Sequence, residues 1–272
     1  MRGPGPGPGA GTARGLIIEK SMAYQWNWGV LFAPSPDGGQ SYLQTLLDGL
    51  SVTVKTAALA WLIALALGLA VGVARTLPYR GVRAAGAVYV EVFRNIPLIV
   101  QMFLWYFVLP ELLPTAAGDW IKQLPDASFY TAALAIGMYM SARIGEQLRA
   151  GIEALPKGQR NAGLALGLTL PQLYWHVLLP NALRTVLPTM TSDCLNTIKN
   201  TSVALTIGLA ELTAQAHAMQ EFSFQVFEAF LTATMAYLAL NLIVIVVMRA
   251  LEYKLRIPGR TAGGRMTKGN RA

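Results

Sequence analysis

The 272-residue chain is 54% hydrophobic and only 13% charged, roughly half the charge density of an ordinary soluble domain, with a formal net charge of +8. Cys194 is its single cysteine, which excludes an internal disulfide, and with only His176 and His217 the chain cannot assemble a His/Cys zinc site. The apolar excess points to a membrane, so the positions of the basic residues decide what the charge means.

Residues 1–25 open with GPGPGPGAG, a Pro/Gly low-complexity tail with no apolar run behind Arg2. It reads as neither a secretory signal peptide nor a helix, and disorder is expected. Residues 26–45 carry WNWGVLF, two tryptophans beside an apolar cluster, which suits a short element resting on the bilayer surface. Residues 46–253 hold five stretches long enough to span hydrocarbon, at about 50–74, 88–109, 129–147, 183–209 and 227–251. The first and last are plain apolar runs, whereas the second contains Glu91, Arg94 and Pro97 and the fourth Asp193 and Lys199; both must face protein or water. Glu91 and Arg94, three residues apart on a helix, are expected to pair structurally, and Pro97 to kink the span. Residues 254–272 form a basic tail.

Five spans put the termini on opposite sides. Arg75, Arg80 and Arg83 follow the first span, Arg149, Lys157, Arg160 and Arg184 surround the loop after the third, and seven basic residues crowd the carboxyl end from Arg249 to Arg271. The loop after the second span offers only Lys122, and 210–226 offers no Lys or Arg. The positive-inside bias therefore places the carboxyl terminus in the cytoplasm and the amino terminus outside, against the mild counterweight of Arg2, Arg14 and Lys20. On this reading the charge reports topology, not a nucleic-acid partner. No internal repeat is evident, which weighs against a secondary carrier built from inverted halves.

Residues 151–182 interrupt the apolar runs with ALPKGQRNAGLALGLTLPQLYWHVLLP, too rich in Gly, Pro and polar residues to cross a bilayer. Locally, RNAGLALG reads as a small-residue helix stopped by Gly167. Thr169 caps a second short helix with Pro171 in its first turn, and Pro180 ends it. Leu173, Tyr174, Val177 and Leu178 fall on one face of that helix and call for a partner. His176 reads as an ordinary polar residue there.

This stretch resembles the loop of ABC importer membrane subunits, whose pattern is Glu-Ala-Ala, three residues, Gly, nine residues, Ile, one residue, Leu, Pro. Here it falls on Asn161, Ala162, Gly163, then Gly167, then Val177, Leu179 and Pro180 with every spacing kept, although Asn161 replaces the Glu and Gly163 the second Ala. The likeness extends over nearly all the chain after Trp26, through VEVFRNIPLIVQMFLWYFVLPELLP and KNTSVALTIGLAEL, and is greatest to the polar amino acid permeases of the glutamate/aspartate type.

The resemblance implies an all-α membrane subunit of the type I importer fold in a bacterial inner membrane, whose coupling helix sits in a groove of a cytosolic ATPase subunit. It also implies a second permease subunit, identical or homologous, and an external solute-binding protein that delivers an amino acid. No GxxxxGK[ST] loop is present, so ATP is expected to be bound by partner subunits, with no cofactor in this chain and no enzymatic activity of its own. In SARIGEQLRAGI, similar permeases have an uncharged aromatic where this chain has Arg143, with Glu146 and Arg149 as in the family. Either Glu146, one turn along, neutralises Arg143, or the guanidinium faces the central cavity and clasps a substrate carboxylate. A self-sufficient carrier or channel driven by an ion gradient is the rival reading.

Overall fold

The computed structural model describes residues 24–36 and 39–255. The Pro/Gly tail expected to be disordered and most of the basic carboxyl tail lie outside these residues. Among the described residues there is no strand, only an isolated bridge between Pro34 and Ser41.

A 3₁₀ turn, Trp28–Phe32, precedes α1, Tyr42–Ala74. Ser41 begins α1 with a capping box, its backbone N–H reaching Gln44 Oε1 at 2.9 Å. Helix α2 is Arg80–Asn95 and α3 is Leu98–Leu112, followed by the short α4, Thr115–Lys122. Helix α5 is Ala127–Glu153, α6 Lys157–Ala165, α7 Leu170–Leu173 and α8 Leu179–Asn200. A 3₁₀ stretch, Thr201–Ile207, leads to α9, Leu212–Ser223, and α10, Val226–Leu255.

Helices α1 and α10 are each long and apolar enough to cross a membrane. The expected second span is not one rod: α2 and α3 meet at 103°, with the break at Ile96 and Pro97. Pro97 forces its predecessor out of the helical region and Ile96 is extended, which accounts for the break. The expected Glu91–Arg94 pair does not form; Glu91 instead accepts from Asn95 Nδ2 at 2.9 Å. The fourth span also departs from a single helix, changing at Thr201 to 3₁₀ winding that stops at Gly208.

The core is the seam between α1 and α5, the most extensive helix contact among the described residues. Ala60, Ala64, Ala132, Ile136, Met140 and Ile144 are buried along it. Small residues bring the two backbones together: a Cβ on Gly68 would lie 2.8 Å from Ile144 Cβ and 3.0 Å from Ser141 O. Without a strong hydrophobic drive inside lipid, such close packing is what holds membrane helices together. Leu98, Met102, Met190 and Ile207 close the core from α3, α8 and the 3₁₀ stretch.

A second cluster joins the start of the chain to α9 and α10 through Val30, Leu46, Leu212, Met219 and Ala233. Buried Glu228 accepts from the Tyr24 hydroxyl and from Asn27 N–H at 2.6 Å, while Trp26 stacks on Trp28 with ring centroids 5.7 Å apart. The WNWGVLF segment is thus a short ordered element with both tryptophans exposed and Val30 buried. Leu238, Leu242, Ile243, Val246 and Val247 on α10 are also exposed, an apolar surface for lipid or another membrane helix to cover.

Candidate transport and coupling sites

The loop between α5 and α8 is built as its local chemistry dictates. Helix α6 ends in a Schellman arrangement, with Leu168 N–H on Gly163 O at 3.1 Å and Gly167 N–H on Leu164 O at 3.0 Å. Gly167 takes φ +81°, a left-handed conformation that strains any residue with a Cβ, and no neighbouring atom lies within 4 Å of where that Cβ would be. The preference for glycine here is conformational and not a matter of space. Thr169 then caps α7, its N–H and hydroxyl both reaching Gln172 Oε1 at 2.9 Å.

Pro180 does not end the second helix. A π turn, Tyr174–Leu178, widens the helix so that Leu179 N–H bonds back to Tyr174 O, and α8 continues through the proline. The added residue relieves the clash between the proline ring and the preceding turn and absorbs its missing donor. The same device occurs in α3, where the π turn Leu104–Val108 precedes Pro110 at the same offset.

The apolar face expected to meet a partner is already covered. Leu173, Tyr174 and Leu178 are buried against Leu148, Ile152 and Leu155, with Val177 and Leu179 packed beside them. The Tyr174 hydroxyl donates to Thr76 O at 2.9 Å, tying the π turn to the end of α1. Gly163 belongs to the same inward face, because a Cβ there would lie 2.6 Å from Leu173 Cδ1. The alanine of the pattern has given way to glycine where Leu173 fills the space. What faces outward is Asn161, Ala162, Leu164 and Ala165, with Leu166 82% exposed and Trp175 72% exposed; His176 is exposed alongside. The seven pattern residues therefore divide: Asn161, Ala162 and Gly167 lie on the open surface, Gly163 is buried, and Val177, Leu179 and Pro180 are half-buried.

Arg143, on α5, does not pair with Glu146. The Glu146 carboxylate is taken by Arg75, and by Arg149 Nη2 at 2.5 Å, and Arg149 also reaches Glu153 at 2.5 Å. Arg143 instead donates from Nε to Asp193 Oδ1 on α8 at 3.1 Å. Asp193 is only 1% exposed and receives a second bond from Gln147 Nε2 at 2.5 Å, while Gln147 Oε1 accepts from Thr189 at 3.0 Å. The Arg143 side chain is 43% exposed, and its two Nη groups point to no acceptor among the described residues. The arrangement is a half-open guanidinium held at its inner edge by a buried carboxylate.

Asp193 and Gln147 were not legible as partners of Arg143, although two opposite charges inside membrane-length segments were an available signal, since such groups seek each other. Buried Glu211 was likewise missed; it caps α9 through Ala214 N–H at 2.9 Å and accepts from the Tyr237 hydroxyl at 2.7 Å.

Two long apolar helices, an ion pair between two further helices and a separate loop folded onto the bundle end fit a membrane transport subunit. The sequence comparisons agree, with a match to the binding-protein-dependent transport system inner membrane component family over residues 46–257. The chain belongs to that family and is a transport component of an ABC importer, not an enzyme. It is 44% identical over 245 residues to the glutamate/aspartate import permease protein GltJ of Escherichia coli K12, covering 89% of this chain and all of that one. It is 30% identical to the arginine transport system permease protein ArtQ of Bacillus subtilis, covering 78% of this chain and 92% of ArtQ. Among solved structures, a crystal structure of an amino acid ABC transporter with histidines superposes with a TM-score of 0.67 at 27% identity, covering 78% of this chain and 95% of that one. These relatives are ABC permeases, which sets aside the ion-gradient carrier or channel.

Proposed function

We propose that this permease subunit imports acidic amino acids, glutamate and aspartate, across a bacterial inner membrane. The observation that carries the reading is Arg143: a half-exposed guanidinium on a membrane helix, anchored by Nε with its Nη fork open, has the geometry for bidentate contact with a carboxylate. The 44% identity to GltJ along its whole length supports the same substrate class.

A second permease subunit completes the pathway, an external binding protein delivers the amino acid, and ATP is bound and hydrolysed by cytosolic subunits beneath. The loop 151–182 meets those subunits through Asn161, Ala162, Leu166 and Trp175. Because the chain from Leu170 to Asn200 is one continuous helical rod, motion at the loop is carried to Asp193, roughly 35 Å along it. That displaces the anchor of Arg143, which links ATPase closure to a change at the pathway. The carboxyl terminus lies in the cytoplasm and the amino terminus outside.

Purification in mild detergent from a host expressing the neighbouring importer components tests this assembly. ATPase subunits and a permease subunit should be recovered with the chain; recovery of the chain alone, correctly inserted, contradicts the proposal.

A further inference from the structure

At the end of the bundle that carries the coupling loop, a cavity of about 300 Å³ opens between the α1–α2 connection, the end of α5 and the start of α6. Besides Arg75, four charged side chains line it: Arg83, Glu153, Lys157 and Arg160. Arg75 is neutralised by Glu146, and Glu153 by Arg149 at 2.5 Å. Arg83, Lys157 and Arg160 are exposed and have no acidic or hydrogen-bonding partner among the described residues.

Three cations converge on one concavity from two elements distant in sequence, Arg83 from α2 and Lys157 and Arg160 from α6, an arrangement that favours an anion there. The first turn of α6, a nine-residue helix, begins at the same place after Pro156, and its free N–H groups favour negative charge. The floor is apolar, formed by Ile152, Leu155 and Leu178 with the Tyr174 ring. Tyr79 and Val82, close to Arg83 in sequence, are exposed at the start of α2.

We infer that this cavity is a binding site for a phosphate-bearing anion, the headgroup of an anionic phospholipid in the leaflet next to the coupling loop. The phosphate lies among Arg83, Lys157 and Arg160, and the glycerol and first methylenes rest on Leu155, Leu178 and the exposed flank of α2. Charge complementarity and the apolar continuation favour a lipid over an acidic protein segment, which would leave that floor uncovered. The inference depends on the membrane placement proposed above, but not on Arg143 or on the substrate.

The test uses the full chain in detergent, titrated with phosphatidylglycerol, with phosphatidylcholine of the same acyl chains and with inorganic phosphate, reading the thermal midpoint. Phosphatidylglycerol should stabilise the parent well beyond phosphatidylcholine. The triple variant Arg83→Gln/Lys157→Gln/Arg160→Gln should weaken its apparent affinity on the order of a hundredfold. A control with the same charge change elsewhere, Arg184→Gln/Arg249→Gln/Lys254→Gln, should leave it near the parental value. Stabilisation by inorganic phosphate, lost in the same triple variant, would support the site with a free anion as its occupant. Equal response to both lipids, an unaltered response in the triple variant, or equal loss in the control overturns the inference. So does a triple variant that keeps its lipid response but no longer retains the ATPase, since the cavity would then serve the protein partner.

Discussion

Replacing Arg143 by Gln leaves Asp193, 1% exposed, with Gln147 as its remaining donor. Removing one partner of a fully buried ion pair costs about 3–5 kcal/mol, because the other charge stays buried and uncompensated. The guanidinium here is 43% exposed, so solvent already screens part of the pair and about 1–2 kcal/mol is the reasonable figure. For a chain of this size that corresponds to a fall of about 2–8 °C in the unfolding midpoint. Loss of uptake in Arg143→Gln would therefore mix two effects. The double variant Arg143→Gln/Asp193→Asn separates them, since it removes the orphaned charge while Gln147 can still bond the amide. Thermal unfolding in detergent should show Arg143→Gln destabilised and the double variant restored to near the parental midpoint. Glutamate uptake in reconstituted vesicles should fall in both, with Arg143→Lys recovering only part. If the double variant regains parental uptake together with its stability, Arg143 is a structural ion-pair partner and the carboxylate-clasp argument fails.

The left-handed backbone of Gly167 gives a discriminating pair of substitutions: Gly167→Val should cost about 1–2 kcal/mol locally and depress binding-protein-stimulated ATP hydrolysis, whereas Gly167→Asn, which tolerates that conformation, should largely preserve it. Normal stimulation in a correctly inserted Val variant would remove the turn from the coupling role. On the α1–α5 seam, Gly68→Ile should destabilise by at least about 1–3 kcal/mol, because its Cβ would press on Ile144 and on the rigid carbonyl of Ser141; an unchanged midpoint would mean the helices are not held by close packing there. For topology, single cysteines in a Cys194→Ser background should label from outside at Asp119→Cys and not at Arg265→Cys, and the reverse pattern would invert the assignment. Gly118 is the wrong position for that probe, since any Cβ there collides with Pro110 O.

What the sequence discloses here is mostly what is local. Gly167 as a stop and Thr169 as a cap each depend on a few adjacent residues, and both are found where expected. Helices α1 and α10 follow from hydropathy alone, and the break at Pro97 from proline sterics, though not its 103° angle. Pro180 was read as a terminator because a single helix cannot normally pass it; the π turn before it is a cooperative backbone adjustment that no residue announces. The stripe of Leu173, Tyr174 and Leu178 was visible, but periodicity reports that a face is apolar and not what covers it. The partner of Arg143 is fifty positions away on another helix. Proximity in sequence favoured Glu146, which Arg75 and Arg149 had already taken. The family pattern located the loop by spacing, yet only packing separates its inward residues from Leu166 and Trp175, which are free to meet a partner.

ATP-driven import of acidic amino acids is tested by uptake of labelled glutamate into proteoliposomes containing this chain, with the second permease subunit, the ATPase subunits and the binding protein each supplied or withheld. Uptake should occur only with the complete set and hydrolysable ATP, and be competed by aspartate and not by arginine. Uptake by this chain alone down an imposed ion gradient, or ATP-driven import by the full set that ignores acidic amino acids, would contradict it.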